Sequence, residues 1–198
     1  MATRFFDVFI SLIGIIFLMP FFMIISILIV IDSKGGIFFF QDRVGKNNVD
    51  FKLLKFRTMF PNSDKFKLLT VGADDQRITK IGYYLRKYKI DELPQLFNVL
   101  IGNMSIVGPR PEVRKYIEFY NEEEKIILNI KPGITDYASI KFRRENEILA
   151  LSEHPEKTYI EEIMPAKIKL NMTYLNNPST RNYFCVIYLT LKAILKNN

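Results

Sequence analysis

Between Val8 and Ile31 the chain runs for 24 residues without a charge, and no other stretch constrains the fold as strongly. At roughly 1.5 Å per helical residue the run could span a hydrocarbon core of about 30 Å. It is too long for a signal-peptide core, and no small-residue cleavage site follows it. Pro20 divides it, with 12 residues before and 11 after. Each half reaches only about 16 to 18 Å as a helix, half a bilayer. Proline removes a backbone hydrogen bond and bends a helix. Two arrangements follow: a kinked spanning helix, or a hairpin that leaves on the side it entered. The hairpin would keep Arg4 and Lys34 on one cytoplasmic face, as the positive-inside bias favours.

The net charge of +7 calls for an anionic partner. A basic chain can bind nucleic acid through its phosphates, or an anionic leaflet, where each cation contributes about 1 kcal/mol. No lysine-rich block or aromatic RNA-binding signature is present, so the membrane is the expected partner and nucleic acid is not. The single cysteine, Cys185, excludes an internal disulfide. Its apolar surroundings predict a buried, inert thiol.

The chemistry is expected between Ile90 and Pro111. Adjacent carboxylates, Asp91 and Glu92, precede Leu93, Leu96, Phe97 and Leu100 at helical spacing. An acid there can cap a helix, with Pro94 in the first turn, where its missing N–H costs nothing. Arg86 and Lys87 lie upstream and Gly108-Pro109-Arg110-Pro111 downstream. Two acids at a helix start among fixed cations also suit a metal and phosphates.

Elsewhere the pattern predicts a β-hairpin from Ile37–Gln41 and Phe51–Phe56, with Arg43 in the connection and Lys55 and Arg57 on one face of its end. Residues 61–76 read as a loop. Thr79 caps a helix running to Tyr88, and Pro111 opens another carrying Val113, Tyr116, Ile117 and Tyr120. The stretches 161–174 and 183–195 read as amphipathic helices, packed in a core or lying in a membrane interface. His154-Pro155 reads as a surface loop.

The run Asp91-Glu92-Leu93-Pro94-Gln95-Leu96 with Asn98, then Met104-Ser105 and Gly108-Pro109-Arg110-Pro111, resembles the monotopic phosphoglycosyl transferases. So do Gln41-x-Arg43-x-Gly45, Lys55-Phe56-Arg57-Thr58-Met59 and Lys131-Pro132-Gly133-Ile134-Thr135. These motifs run in order from about residue 4 to 143, and the length fits the small members that are a catalytic core alone. The resemblance implies an α+β, mostly helical fold. Residues 1–34 would form a re-entrant helix-break-helix hairpin bent at Pro20, and residues 35–198 a catalytic domain with a small β-hairpin and interfacial helices. The family usually has Ser-Pro at the bend, where this chain has Met19-Pro20; Ser11 or Ser26 would then support it.

The implied reaction moves a sugar phosphate from a UDP-sugar to a polyprenyl (undecaprenyl) phosphate at the cytoplasmic face of a bacterial inner membrane. Asp91 would be the nucleophile and Glu92 the ligand of Mg²⁺, while Lys55, Arg57, Arg86, Arg110 and Arg143 would bind phosphate or substrate. Asp136-Tyr137-Ala138-Ser139 departs from the family's usual Gly-Leu-Ala-Gln, so sugar specificity does not carry over. Two rivals are a membrane-bound phosphohydrolase that passes the same intermediate to water, and a basic membrane adaptor whose acidic pair only caps a helix.

Overall fold

Residues 2–61 and 75–196 are described by the computed structural model; most of the loop expected over 61–76 lies outside them. The first element, α1, is one helix of 31 residues, Ala2–Asp32, with Pro20 inside it. The expected division at Pro20 is therefore not a break in secondary structure. Ser11 and Ser26 donate to the Val8 and Phe22 carbonyls, each on its own side of the proline.

Next come β1 (Phe38–Val44) and β2 (Asp50–Phe56), antiparallel with Phe38 opposite Phe56 and Val44 opposite Asp50. The hairpin is longer than expected, and Arg43 belongs to β1 instead of the connection. That connection turns through Asn47 and Asn48 at positive φ, a conformation asparagine tolerates. Helix α2 is Lys80–Lys87, and the Thr79 hydroxyl accepts from the Gly82 N–H, the cap its sequence predicts.

A single 3₁₀ turn, Ile90–Glu92, leads to α3 (Gln95–Ile101) and β3 (Ser105–Val107). Helix α4, Arg114–Ile117, begins three residues after Pro111, so Pro111 does not start it; Tyr116, Ile117 and Tyr120 are nevertheless buried as their pattern predicts. β4 (Gly133–Thr135) pairs with β3 in parallel, Ser105 opposite Gly133 and Val107 opposite Thr135. A Cβ on Gly133 would stand 2.1 Å from the Gly108 nitrogen, so the two chains approach this closely only as glycines.

Short helices follow: α5 (Tyr137–Lys141), α6 (Glu145–Ala150) and α7 (Pro155–Thr158). His154 is exposed just before α7, as expected. A π turn over Tyr159–Ile163 joins α8 (Met164–Leu175), and α9 is Thr180–Leu195. Among the described residues the fold is thus mostly helical, with two small two-stranded sheets.

Helix α1 docks along its length through one stripe, Asp7, Ser11, Ile15, Phe22, Ile25 and Ile29. Its spacing of three, four and seven is that of a helix seam. The other faces stay apolar and exposed: Phe17 is 81% and Ile31 77% accessible. Near its first turns, Arg4 donates to the Val99 and Leu100 carbonyls of α3. Asp7 accepts from the Ser105 hydroxyl, the Ile106 N–H and the Tyr183 hydroxyl, each at 2.9 Å. At its other end Asp32 accepts from the Ile81 N–H of α2.

Among the described residues three clusters form the core. One lies under β3 and β4 with Tyr183 and Val186 of α9; a second joins Phe22, Ile25 and Ile29 of α1 to Phe56 and Leu85; a third packs Tyr116 and Ile117 on Ile163 and Ile168. Each large apolar side chain buried in them contributes about 1.5–3 kcal/mol. Helix α9 divides its apolar residues, turning Tyr183 and Val186 inward while Tyr188, Leu191 and Leu195 stay exposed. Cys185 is exposed as well, against expectation, because it sits between those two inward positions.

Candidate active site

The dyad Asp91–Glu92 does not cap a helix. Lys89 adopts a left-handed φ of 58°, which turns the chain sharply after α2. A non-glycine residue there costs on the order of 1 kcal/mol. The two acids then occupy the 3₁₀ turn, and Pro94, fully buried, is the residue that precedes α3. Helix α3 is pinned to β2 by Asn98, whose side chain accepts from the Leu54 N–H at 2.9 Å and donates to the Lys52 carbonyl at 2.8 Å. That strand carries Lys55, so the same fastening brings Lys55 to the turn.

Glu92 Oε1 accepts from Lys55 Nζ at 3.0 Å, and Arg110 grips both oxygens, Nη1 reaching Oε2 at 3.0 Å. The fork-to-carboxylate geometry is the strong form of this pair. Arg110 is itself held, because its backbone N–H donates to Asp136 at 2.8 Å and the same carboxylate accepts from the Ser139 N–H. Three of the predicted residues, Lys55, Glu92 and Arg110, thus converge from β2, the turn and the segment after β3.

The neighbouring carboxylates sit in opposite electrostatic states. Burial, then the charge of Glu92, pushes the Asp91 carboxyl above the ordinary carboxylate range. Burial would raise Glu92 too, but Arg110 and Lys55 together overcome it and hold that carboxyl well below its usual value. Burial lowers Lys55, with Glu92 opposing, and lowers Arg86, with Asp91 opposing. Asp91 is buried, and its Oδ1 has no hydrogen-bond partner. A buried acceptor left so costs about 1–3 kcal/mol, which marks a group kept for something other than stability.

Both acids line a cavity of about 980 Å³, with Lys55, Arg86, Arg110 and Arg143 also in its wall. Two predicted substrate arginines have protein partners away from the dyad. Arg57 also borders the cavity, yet it donates to the Ser33 carbonyl at 2.6 Å, the Lys34 carbonyl at 2.9 Å and the Ile29 carbonyl at 3.4 Å. It leaves the face of Lys55 because β2 ends at Phe56 and Arg57 turns toward the end of α1. Arg143 donates to the Ala193 carbonyl of α9.

A second polar group in the wall gathers around Arg43 of the Gln41-x-Arg43-x-Gly45 motif, and sequence reasoning missed its Glu112 and Tyr159. Arg43 donates to Glu112 at 3.3 Å, to the Pro111 carbonyl at 3.0 Å and to Gln41 at 2.9 Å, and the Tyr159 hydroxyl donates to Glu112. Glu112 directly follows the Gly-Pro-Arg-Pro run and could have been noticed. Tyr159 sits in a helical stretch with no local mark of its role. Among the described residues no group of three or more histidine, cysteine or acidic side chains is placed to hold a metal.

The chain as a whole is similar to known proteins. The family model described as bacterial sugar transferase matches residues 1–197. A UDP-N-acetylgalactosamine-undecaprenyl-phosphate N-acetylgalactosaminephosphotransferase of Aeromonas hydrophila is 33% identical over 96% of this chain and 42% of its own length. Exopolysaccharide production protein ExoY of Sinorhizobium fredii is 38% identical over 73% of this chain and 70% of its own. A UDP-glucose:undecaprenyl-phosphate glucose-1-phosphate transferase of Klebsiella pneumoniae is 33% identical over 93% and 38%. The chain therefore spans about two fifths of the Aeromonas and Klebsiella proteins and more of ExoY. With the whole chain covered by the family model, this protein belongs to the bacterial sugar transferase family.

Proposed function

We propose that this enzyme moves a sugar phosphate from a UDP-sugar to undecaprenyl phosphate, with Asp91 as a covalent relay. The observation that carries the reading is the split dyad: a buried, unpartnered carboxylate beside one locked by a lysine and an arginine, in the wall of one large cavity. Relatives named for transfer to undecaprenyl phosphate support it. They are named for different sugars, so the donor of this chain is a matter for assay.

In the first step an Asp91 oxygen attacks the sugar-bearing phosphorus. The bond from that phosphorus to the UMP oxygen breaks, and UMP leaves. In the second, a phosphate oxygen of the polyprenyl phosphate attacks the same phosphorus. The aspartyl–phosphorus bond breaks, the carboxylate returns, and a polyprenyl diphosphate sugar is released. A carboxylate and a diphosphate repel, so the surrounding cations are what permit the approach. Lys55, Arg86 and Arg110 supply three positive charges around the two acids. The raised affinity of Asp91 for protons also makes its anion the more nucleophilic of the pair.

Mg²⁺ fits this donor set, because it typically takes one or two carboxylates and completes its shell with water and substrate phosphate. Glu92, kept anionic, and the unpartnered Oδ1 of Asp91 would hold it. When bound, the ion neutralises charge on the diphosphate.

Both ends of α1 are tied to the same catalytic body, Arg4 to α3 and Asp32 to α2. A helix crossing the bilayer would separate those ends by the membrane's thickness. The docking therefore supports a monotopic arrangement at the cytoplasmic face, α1 and the exposed residues of α9 lying in lipid and the cavity opening at headgroup depth. Labels on cysteines placed beside Arg4 and Lys34 should react from one side only.

The decisive experiment is a rapid quench of the full chain with a reactive UDP-sugar and no acceptor. The peptide containing Asp91 should gain the mass of a sugar phosphate, with one UMP released per site. Transfer to lipid after addition of polyprenyl phosphate separates this scheme from hydrolysis. Turnover without any such adduct would defeat the covalent route.

A further inference from the structure

Another charged pair lines the same cavity and takes no part in the transfer scheme. Lys167 of α8 donates to Glu145 Oε2 of α6 at 2.9 Å. Its ammonium also lies 3.5 Å from the Tyr159 hydroxyl and 5.2 Å from the centre of that ring. The side chains retain 12% and 24% of their exposure. Among the described residues nothing donates to Glu145 Oε1, and Lys167 has a further N–H to give.

The pair is in register with the dyad through an unbroken set of contacts. Tyr159 donates to Glu112, Glu112 holds Arg43, and Arg43 donates to the Pro111 carbonyl, one residue after Arg110. The charge of Glu145 is felt at Arg110 itself. Ions largely withdrawn from water stabilise a fold poorly, and these two keep unused hydrogen-bonding capacity inside the substrate cavity. A carboxylate that accepts beside an ammonium that donates complements two adjacent hydroxyls, one giving its proton and the other receiving one.

We propose that Glu145 and Lys167 read a vicinal diol of the donor. The inference rests on the sugar-phosphate transfer reading above. A nucleotide sugar carries such a diol in two places, the transferred sugar ring and the ribose, and the test separates them.

The full chain in nanodiscs holding undecaprenyl phosphate is assayed for UMP release from UDP-glucose, UDP-galactose and their N-acetyl counterparts. On whichever donor turns over, Lys167→Met and Glu145→Gln should each raise KM about tenfold, the worth of one hydrogen bond to a charged group. The kcat should stay within about twofold, as for a contact made equally before and during reaction. Lys167→Arg should recover part of the loss. A donor lacking one hydroxyl of the recognised diol should bring wild type and variants to the same KM; a ring-deoxy sugar or a 2′-deoxyribose donor doing so names the ring. An identical gap on every analogue would reduce the pair to a brace between α6 and α8, and an unchanged KM would dismiss the contact outright. If Lys167→Met does not fold, the isosteric Glu145→Gln carries the measurement. Wild type that releases UMP from none of a wider panel of UDP-sugars, deoxy and amino sugars included, refutes the transfer reading, and the diol pocket falls with it.

Discussion

Two seams of this molecule are each built around an arginine two residues or fewer from a recognised motif lysine or proline, and they do opposite things. Where β2 meets α1, Arg57 donates to backbone carbonyls of Ile29, Ser33 and Lys34. Where β3 meets the dyad, Arg110 donates to the side chain of Glu92. A backbone carbonyl cannot leave its arginine without the helix end unravelling. A carboxylate can share its arginine with a phosphate while the fold stands. The partner, more than the cation, decides which seam is a joint and which is a site.

Substitutions should separate the seams, most sharply at Asp91. Asp91→Asn should lower transfer by at least about 10³-fold, the scale for loss of a catalytic nucleophile. It should leave the melting temperature equal or higher, since the ionised form of a carboxyl with raised affinity for protons is a cost to the fold. Steady-state UMP release beside a thermal melt checks both. Next, Arg110→Met should cost about 10²–10³-fold in kcat/KM, the scale of one electrostatic stabiliser, with a smaller fall in melting temperature than Arg57→Met. The latter should cost about 2–4 kcal/mol in stability, because several carbonyls lose a charged donor, while kcat per folded molecule is kept. Equal activity losses at both arginines, after correction for folded fraction, would erase the distinction between joint and site.

The pH profile sharpens the contrast within the dyad. Asp91 must be ionised to attack, so the rate should fall as pH drops through its raised pKa, giving an acid limb above the ordinary carboxylate range. Glu92, held well below its usual value, stays ionised there and adds no second limb. Its stabilising contribution is present above its unfolded pKa and is lost only as pH falls through the depressed folded value. In Glu92→Gln the acid limb should move down, because a like charge disappears and Lys55 and Arg110 turn to Asp91. The smallest effect should come from Arg114, whose exposed contact with Asp50 joins two half-open side chains. Arg114→Ala should shift stability by no more than about 1 kcal/mol and leave kcat/KM alone.

Local signals were legible where one residue's chemistry settles the matter. Thr79 as a cap, the β-hairpin and the inward pattern of Tyr116, Ile117 and Tyr120 follow from propensity and period. The convergence of Lys55, Glu92 and Arg110 was legible only through the motifs, since no spacing reveals that Asn98 ties α3 to β2. The parallel pairing of β3 with β4 escaped notice because three-residue strands have too few positions to show a period. Cys185 and Arg57 were misjudged for a shared reason: an apolar neighbourhood or an extended spacing predicts a face only while the element lasts and its inward side is known. The Lys167–Glu145 pair joins helices 22 residues apart, a juxtaposition that sequence alone does not signal.

Asp7 carries a consequence for how the chain is made. Its three donors come from residues 98, 99 and 176 positions later. On the ribosome the greasy first helix is therefore finished long before Tyr183 exists to satisfy the acid within it. Until translation reaches that tyrosine the set of three donors is incomplete, so α9 closes the packing of α1 onto the rest of the fold.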